Sequence, residues 1–431
     1  MSDEPATQNP LALARKLGFS VAGSIGERAM EELELCYASR LLPMFTDDQV
    51  TRIRINLLLY WKAGFYKSTL LKEFSKTIPL ATVNITSMTL QKIFGSIDPK
   101  QRSIVLPAFT NNVYFVLISE LTALLGQKDM KEFANVMNQV LEGEQVNRQT
   151  LTLSYQIDGI AEIERCKKFG VRYDPERGEL SYRPDVCVVA ASRPLDNRYF
   201  NYLFRSGYFS RFHVIQLPIS DKEAHQHIRK NYILDTSLQQ CLKELNARLA
   251  KCKIGVMKRP SESLTNDLFD ELQKMAVDEV SGRRYLTLSD ILTPRVKDDI
   301  IRELVAHAFL RMAAQNGFND IVELVYTPED IAYVKENLYH FIEFSLDPLI
   351  APDFITTRSC SKRDAVKTIL LKTLEDGLDH ETDQVENEIK NQCKVCTQTV
   401  YNAINELKKE AAIESPRHGF IKIRDGGSGH A

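Results

Sequence analysis

The sequence predicts a parallel α/β domain with an all-helical lid, followed by a winged-helix domain. The first observation is that short apolar strands, such as 55–60 and 113–118, alternate with helical patterns along the first half of the chain. Such alternation is typical of a parallel sheet covered by helices. The second observation is an almost wholly helical block from about 221 to 347. The third is three helical patterns and a hairpin after residue 360, which is the order of a winged helix.

Composition restricts the class of protein. The 431 residues are 44% hydrophobic and 26% charged, which suits two or three globular domains. A net charge of -2 gives no global signature of polyanion binding. No run of 18 apolar residues and no signal peptide is visible, so we expect a soluble protein of the cytoplasm or nucleoid (the nucleus in a eukaryote), without a membrane partner. Eight cysteines in so long a chain indicate reduced thiols.

We expect six segments along the chain. They are an N-terminal segment (1–20), the α/β core (21–220), the helical lid (221–347), a proline-containing linker (348–359), the winged helix (360–425) and a Gly-rich flexible tail (426–431).

The helices and strands of the core are predicted from the periodicity of apolar residues and from the turn-forming residues between them. Helical patterns cover 25–45, 69–76, 88–97 and 130–141, and strand patterns cover 55–60, 81–85, 113–118, 149–157, 170–182 with a turn at 174–178, 186–191 and 213–217. In the winged helix, helices are expected near 361–376, 383–390 and 396–411, with a hairpin over 412–423.

A phosphate-binding loop is predicted where the first strand meets its helix. The strand 55–60 is followed by Trp61-Lys62-Ala63-Gly64-Phe65-Tyr66-Lys67-Ser68 and then by a helical pattern. In such a loop the lysine reaches the β/γ phosphates, the serine hydroxyl holds Mg²⁺, and the helix N-terminus faces the anion. The candidate nucleotide contacts are Gly64, Lys67, Ser68, Thr69 and Ser119, with Ser68 also holding Mg²⁺.

This loop departs from the usual pattern of glycines. In G-x-x-x-x-G-K-[ST] the first glycine corresponds to Trp61 and the second to Tyr66. Because glycine lets the backbone approach phosphates and take positive φ, we expect the two aromatic residues to tighten or reshape the loop.

Two further patterns concern nucleotide chemistry. Ser119-Glu120 ends an apolar strand, where an acidic pair would help to hold Mg²⁺ and polarise the attacking water. The same dipeptide is also common at the start of a helix, so both interpretations stay open. Arg211, just before the last strand, is either a surface residue or an arginine finger that reaches a neighbouring subunit's γ-phosphate.

Taken in order, these motifs resemble the AAA+ ATPases, and within them the MCM-type helicases with a pre-sensor-1 hairpin. The resemblance covers about residues 20–345. It rests on the Lys67-Ser68 loop, Ile118-Ser119-Glu120, the strand 188–194, the segment 208–215 and the helix that begins near Arg295. By this resemblance Glu120, Arg193, Arg211 and Arg295 are catalytic residues: Arg193 lies at sensor 1, Arg211 is the finger and Arg295 is the sensor-2 arginine.

The resemblance also implies ligands and partners. It implies ATP or ADP with Mg²⁺, a homo-oligomeric ring or arc, DNA, and partner proteins of replication or recombination. The departures are Arg193 in place of an asparagine, Ser119 in place of an aspartate, and the missing glycines. Three weakened nucleotide motifs predict slow hydrolysis or none, so ATPase and helicase activity stays open.

The candidate DNA contacts fall in two places. The insertion 144–184 resembles the channel-facing hairpin of that family, and its basic side chains would follow a nucleic-acid backbone. Interleaved acids such as Glu162 and Glu164 also allow a solvated insertion. In the winged helix, several acids weaken the DNA interpretation and leave a protein-contact module equally open. The candidates are Arg165, Lys167, Lys168 and Arg172 in the insertion, and Gln398 and Lys408 in the winged helix.

Two alternatives to an MCM-like protein remain. An origin-recognition-type initiator also couples an AAA+ domain to a winged helix, although the long hairpin argues against it. A non-catalytic assembly protein with a decayed nucleotide site is favoured by the missing glycines. Cys393 and Cys396 form a lone pair without a second pair at zinc spacing, so we expect no zinc.

Overall fold

A computed structural model gives the fold of the chain. It describes residues 9–47, 53–85, 90–98, 103–110, 113–125, 130–149, 160–195, 203, 206–216, 232–281, 292, 294–346, 362–393 and 395–424. The chain divides into two compact units, each described by itself: Met1–Leu268 with Arg295–Phe341, and Phe269–Pro294 with Ile342–Ala431.

The described helices and strands have the following bounds. The helices are α1 (Pro10–Leu41), α2 (Lys67–Thr77), α3 (Leu90–Phe94), α4 (Leu121–Leu125), α5 (Met130–Glu142), α6 (Ile160–Lys168), α7 (Thr236–Leu249), α8 (Glu262–Ser281), α9 (Pro294–Gln315), α10 (Pro328–Asn337), α11 (His340–Glu343), α12 (Lys362–Thr373), α13 (Thr382–Cys393) and α14 (Thr397–Lys409). The strands are β1 (Leu57–Tyr60), β2 (Thr82–Ile85), β3 (Ser96–Asp98), β4 (Ser103–Val105), β5 (Phe115–Ile118), β6 (Val146–Gln149), β7 (Val171–Asp174), β8 (Glu179–Tyr182), β9 (Cys187–Ser192), β10 (His213–Gln216), β11 (Ile254–Val256), β12 (Ile321–Glu323), β13 (His380–Glu381), β14 (Ile413–Glu414) and β15 (Phe420–Ile423).

A five-stranded parallel sheet forms the centre of the first unit, as the alternating pattern predicts. The spatial order is β10-β1-β9-β5-β2, so β9 lies between β1 and β5. Strands β1, β5 and β9 are buried along their whole length, which explains why they are continuous apolar runs in the sequence. All five strands end at the same edge, and that edge is where ligands bind in open α/β sheets.

Helix α1 begins earlier than the predicted helix and is broken in the middle. Ala22 and Gly23 leave the helical region, and Gly23 has φ +61°. The two halves fold against each other so closely that a Cβ on Gly18 would lie 2.0 Å from the carbonyl oxygen of Gly26. One core cluster joins α1, α2, α7 and α9 to the sheet. The second half of α1 also buries three acids, Glu31, Glu32 and Glu34.

The block after residue 232 is less purely helical than predicted. Strands β11 and β12 pair in parallel, with Ile254 opposite Ile321 and Val256 opposite Glu323. Each strand has three residues, which is too short to give a period in the sequence. No helix in the described part of the chain is both long and apolar enough to cross a lipid bilayer.

The insertion after α5 contains a helix that the sequence pattern did not predict. Strands β6, β8 and β7 form a three-stranded antiparallel sheet, and α6 precedes β7. The predicted turn at 174–178 is confirmed, since the Asp174 side chain accepts hydrogen bonds from the backbone N–H groups of Glu176 and Arg177. Residues 150–157 of the predicted strand 149–157 lie outside the described residues.

Residues 362–424 of the second unit contain three helices and a terminal hairpin in the predicted order. Helices α12, α13 and α14 surround one apolar core, which includes Val366, Ile389, Ile404 and Ile421. The hairpin β14–β15 is extended to three strands by β13, in the order β13-β15-β14. The two-residue strand β13 was not predicted, because it is too short to show alternation.

Candidate functional site

The loop between β1 and α2 keeps the backbone conformation that glycines would supply. Gly64 has φ +85°, and Tyr66 has φ 58° and ψ 1°, in the left-handed region. For a residue with a Cβ this conformation costs about 1–2 kcal/mol. The Tyr66 ring packs edge-on against Tyr232 at a centroid distance of 5.8 Å. Tyr66 therefore adopts the positive φ that a glycine would supply at this position.

Trp61, at the position of the first glycine, is buried and hydrogen-bonded across the loop. Its side chain is almost fully buried, and its indole Nε1 donates to the Phe65 carbonyl at 2.9 Å. Its backbone N–H donates to the Ser192 carbonyl at 3.3 Å, which ties the loop to the end of β9. The Trp61 side chain thus links two parts of the loop, and its backbone joins the loop to β9.

Lys67 is bonded to its own loop. Its Nζ donates to the carbonyls of Trp61 at 2.7 Å and Lys62 at 2.8 Å, and lies 5.3 Å from the Trp61 ring centroid. Burial lowers the pKa of Lys67 to about 8, while the charge of Glu120 acts to raise it. A phosphate group at this position would replace the two carbonyls as the partner of the ammonium.

Ser68 and Ser119 are adjacent, as a shared magnesium site would require. The Ser68 hydroxyl donates to the Ser119 carbonyl at 3.1 Å, which joins the start of α2 to the end of β5. Ser68 and Thr69 are both exposed at the start of α2.

Glu120 has a structural contact of its own. It accepts hydrogen bonds from the backbone N–H and the hydroxyl of Thr122, in the first turn of α4. The helix-start interpretation of Ser119-Glu120 therefore applies. The charge of Glu120 also acts to raise the pKa of Lys67, so this helix-start contact does not isolate Glu120 from the loop.

Arg193 lies on the same edge of the sheet. It follows β9, the strand between β1 and β5, and its side chain is exposed. The carboxyl edge thus brings together Lys67, Ser68, Ser119, Glu120 and Arg193.

The other two candidate arginines meet at the opposite edge of the sheet. Arg211 Nε lies 2.9 Å, and Arg295 Nη2 lies 2.5 Å, from the same oxygen, Glu142 Oε1. Burial and the neighbouring Arg295 lower the pKa of Arg211, and Glu142 opposes this shift. These three side chains, called the arginine cluster below, line a cavity of about 280 Å³. The cavity is also lined by Arg54, Asn56, Leu141, Gly143, Val186, Asp298 and Arg302.

Asn56 is hydrogen-bonded to the segments that carry Glu142 and Arg211. Its side-chain Nδ2 donates to the carbonyls of Leu141 at 3.2 Å and Arg211 at 3.4 Å, and its Oδ1 accepts from the Val188 N–H at 3.0 Å. The Asn56 backbone carbonyl accepts from the His213 N–H at 2.7 Å. One buried amide thus joins the end of α5, the start of β9 and the segment that carries Arg211.

The two groups of residues cannot act on one phosphate within one chain. Lys67 lies beyond the carboxyl end of β1. Asn56 comes directly before its amino end and lines the same cavity as the arginine cluster. Three rises of about 3.3 Å make β1 alone roughly 10 Å long, and the buried sheet lies between the groups.

The candidate DNA contacts of the insertion differ in their exposure and in their ion pairs with neighbouring acids. Arg165 is paired with Glu162 at 2.5 Å and also donates to the Ile104 carbonyl. Lys167 forms an exposed pair with Glu164 at 2.7 Å, of the kind that contributes little to stability. Lys168 and Arg172 are exposed at the end of α6 and on β7.

In the second unit, Gln398 and Lys408 lie on the exposed side of α14. The buried side of this helix consists of Val400, Ala403, Ile404 and Leu407. Gln398 Nε2 donates to Asn402 on the same helix at 2.9 Å. The predicted contacts of this helix therefore lie on a solvated surface.

The sequence did not single out Glu142 and Asn56, which contact the two arginines of the cluster or the segments that carry them. Glu142 ends α5, where the helix dipole disfavours a negative charge, and the last turn contains no basic residue. An acid in that position indicates a cationic partner elsewhere in the fold. Asn56, a polar residue at the start of a buried apolar strand, indicates in the same way an internal hydrogen-bond partner.

Comparison with models of known protein families gave no match for this chain, and comparison with curated protein sequences gave none either.

Proposed function

We propose that this protein binds ATP or ADP with Mg²⁺ at the loop 61–68 and acts on DNA as a ring-forming or arc-forming, MCM-like protein of the AAA+ plan. Hydrolysis is slow or absent. One observation carries the proposal: a Lys-Ser loop lies at the carboxyl edge of a parallel sheet, and two arginines share one carboxylate at the opposite edge.

The position of the loop supports nucleotide binding. Lys67, Ser68 and the N-terminus of α2 converge where open α/β sheets bind ligands. Arg193 follows β9, which lies between β1 and β5 in the sheet, and this position supports a sensor role. Serine at 119 leaves the magnesium site without its usual carboxylate, which supports slow hydrolysis.

The distance between the two edges supports assembly. Arg211 and Arg295 are too far from Lys67 to complete the site of their own chain. They can reach a phosphate only on a neighbouring copy, which makes the complete nucleotide site a property of an oligomer.

Exposed basic and amide side chains support the DNA role. Lys168 and Arg172 lie on α6 and β7, and Gln398 and Lys408 lie on the solvated side of α14. The helix and hairpin order of the second unit supports its assignment as a winged helix.

The test of nucleotide binding is calorimetry with Mg-ATP and Mg-ADP. Replacing Lys67 with alanine removes a charge-assisted contact, so affinity should fall by about tenfold or more. Lys72→Ala, an exposed lysine on the same helix, is the matched control and should bind like the wild type. Equal affinity for the wild type and Lys67→Ala would exclude Lys67 as the phosphate ligand.

A specific observation also favours a second candidate, a non-catalytic assembly protein. Lys67 is already hydrogen-bonded to two loop carbonyls, and the buried Trp61 side chain donates a hydrogen bond to the Phe65 carbonyl of the same loop. If the protein is such an assembly protein, neither ATP nor ADP binds, and oligomers form equally well without nucleotide. The same calorimetry therefore separates the two candidates.

A further inference from the structure

A second cluster of chemically active side chains lies apart from the nucleotide loop. Glu32 on α1, His213 at the start of β10 and Glu303 on α9 meet inside the first unit, each with no more than 6% of its surface exposed. His213 Nδ1 lies 3.7 Å from Glu32 Oε2 and 4.0 Å from Glu303 Oε2, and one ligand atom from each residue lies within 4.8 Å of the others. Three separate elements thus direct a nitrogen and two carboxylates to one point.

The polar atoms of this cluster lack hydrogen-bond partners. Both carboxylate oxygens of Glu303, Oε2 of Glu32 and Nε2 of His213 are buried and accept or donate no hydrogen bond within the described residues. A buried polar atom without a partner costs about 1–3 kcal/mol, and more if it is charged. Two carboxylates that face each other without partners are therefore an unfavourable arrangement unless a proton or a cation joins them.

The neighbouring charges do not remove this need. The charge of Arg28 acts on both Glu32 and Glu303, but Glu31 and Asp299 add negative charge around Glu303. Glu31 is already paired with Arg15 at 2.5 Å, and Asp299 with Arg302 at 2.6 Å.

We propose that Glu32, His213 and Glu303 bind one divalent first-row transition-metal ion, such as Zn²⁺, Fe²⁺, Co²⁺ or Mn²⁺. A set of one imidazole and two carboxylates suits these ions, whereas Ca²⁺ and Mg²⁺ prefer oxygen ligands alone. With bonds of about 2.1 Å, tetrahedral ligand atoms lie about 3.4 Å apart. Shifts of less than about 1 Å in each ligand atom would therefore bring the three atoms from their observed separations to this distance.

The ion would hold in place the two segments that carry Arg211 and Arg295. His213 lies two residues after Arg211, and Glu303 lies two turns after Arg295 on α9. Joining β10, α9 and α1 through one ion would fix the two segments that carry these arginines. Metal binding is measured without nucleotide or DNA, so its outcome is independent of the proposed function.

The test is a titration of the chelator-treated full chain with Co²⁺, followed by visible absorbance. We expect one equivalent to bind, with a d–d spectrum that Zn²⁺ abolishes. Glu303→Gln should lose this site, with affinity reduced by at least about tenfold, because a charged ligand is replaced by a neutral one of the same shape. Glu34→Gln changes a buried acid on α1, the helix of Glu32, that accepts a hydrogen bond from Asn246, and it should retain the site.

Two further measurements keep the result decisive. His380→Ala removes the His380–Asp376 pair, another histidine–carboxylate contact, and should leave the one-equivalent binding intact. Thermal unfolding should show that Zn²⁺ raises the Tm of the wild type but not of Glu303→Gln, while metal-free Glu303→Gln is at least as stable as the metal-free wild type. If Glu303→Gln fails to fold, Glu32→Gln takes its place.

Three results would overturn the proposal. They are no stoichiometric uptake by the wild type, uptake that disappears with His380→Ala, and equal uptake by the folded glutamine variants.

Discussion

Replacing Glu142 with glutamine should destabilise the first unit by removing the anion that two arginines share. Glu142 Oε1 contacts Arg211 at 2.9 Å and Arg295 at 2.5 Å. The side chains of Glu142, Arg211 and Arg295 are 30%, 20% and 38% exposed, so the cluster is neither a surface pair nor a fully buried one.

The expected magnitude lies between two limits. Exposed pairs contribute about 0–1 kcal/mol, and breaking a buried pair costs about 3–5 kcal/mol. For two contacts that are partly screened by solvent we expect a loss of about 1–2 kcal/mol. Repulsion between the two guanidinium groups adds to the loss, because Arg295 already acts to lower the pKa of Arg211.

The assay is thermal unfolding of the full chain at low and high salt. A loss of this size should lower the Tm of the transition that includes the first unit by a few degrees. The change should shrink at 0.5 M salt, because the Debye length falls below about 5 Å. Glu144→Gln, an exposed acid two residues away, is the control and should have a much smaller effect. A Tm for Glu142→Gln equal to that of Glu144→Gln at low salt would refute the shared-carboxylate account.

Three further predictions test other parts of the structure. Asn56→Ala leaves buried partners on α5 and β9 unsatisfied, so the free energy of unfolding should fall by about 2 kcal/mol in denaturant titrations; an unchanged midpoint would contradict its supporting role. Because burial lowers the pKa of Lys67 to about 8, Mg-ATP affinity should fall by up to about tenfold per pH unit above pH 8, whereas Lys67→Arg should bind independently of pH in that range. If α6 contacts DNA, the double change Lys167→Ala, Lys168→Ala should weaken binding to single strands of any sequence and lower the salt slope by about two; an unchanged slope would indicate a protein contact.

Much of the fold follows from local patterns in the sequence. Fully buried parallel strands are continuous apolar runs, so β1, β5 and β9 could be predicted within a residue or two. The helices and hairpin of the second unit could be predicted because each has a clear period. Elements of two or three residues, such as β11 and β13, have no period to read.

The site was predictable at one edge of the sheet and not at the other. Lys67, Ser68 and Ser119 follow strand ends, and the ends of parallel strands share an edge, so their proximity follows from sequence. The sharing of Glu142 by Arg211 and Arg295 joins residues up to 153 positions apart, which only the tertiary structure brings together. The left-handed backbone of Tyr66 was also unpredictable, because residues with a Cβ rarely adopt it.

The central claim, that a complete nucleotide site needs two copies of the chain, is tested most directly by mixing two variants. Lys67→Ala lacks the phosphate ligand and Arg211→Ala lacks the finger, so neither should assemble with Mg-ATP in sedimentation velocity. An equimolar mixture should form dimers and nothing larger, because one interface in each pair combines an intact Lys67 with an intact Arg211. Assembly of either variant alone to the size of the wild type, or no assembly of the mixture when the wild type assembles, would contradict the account.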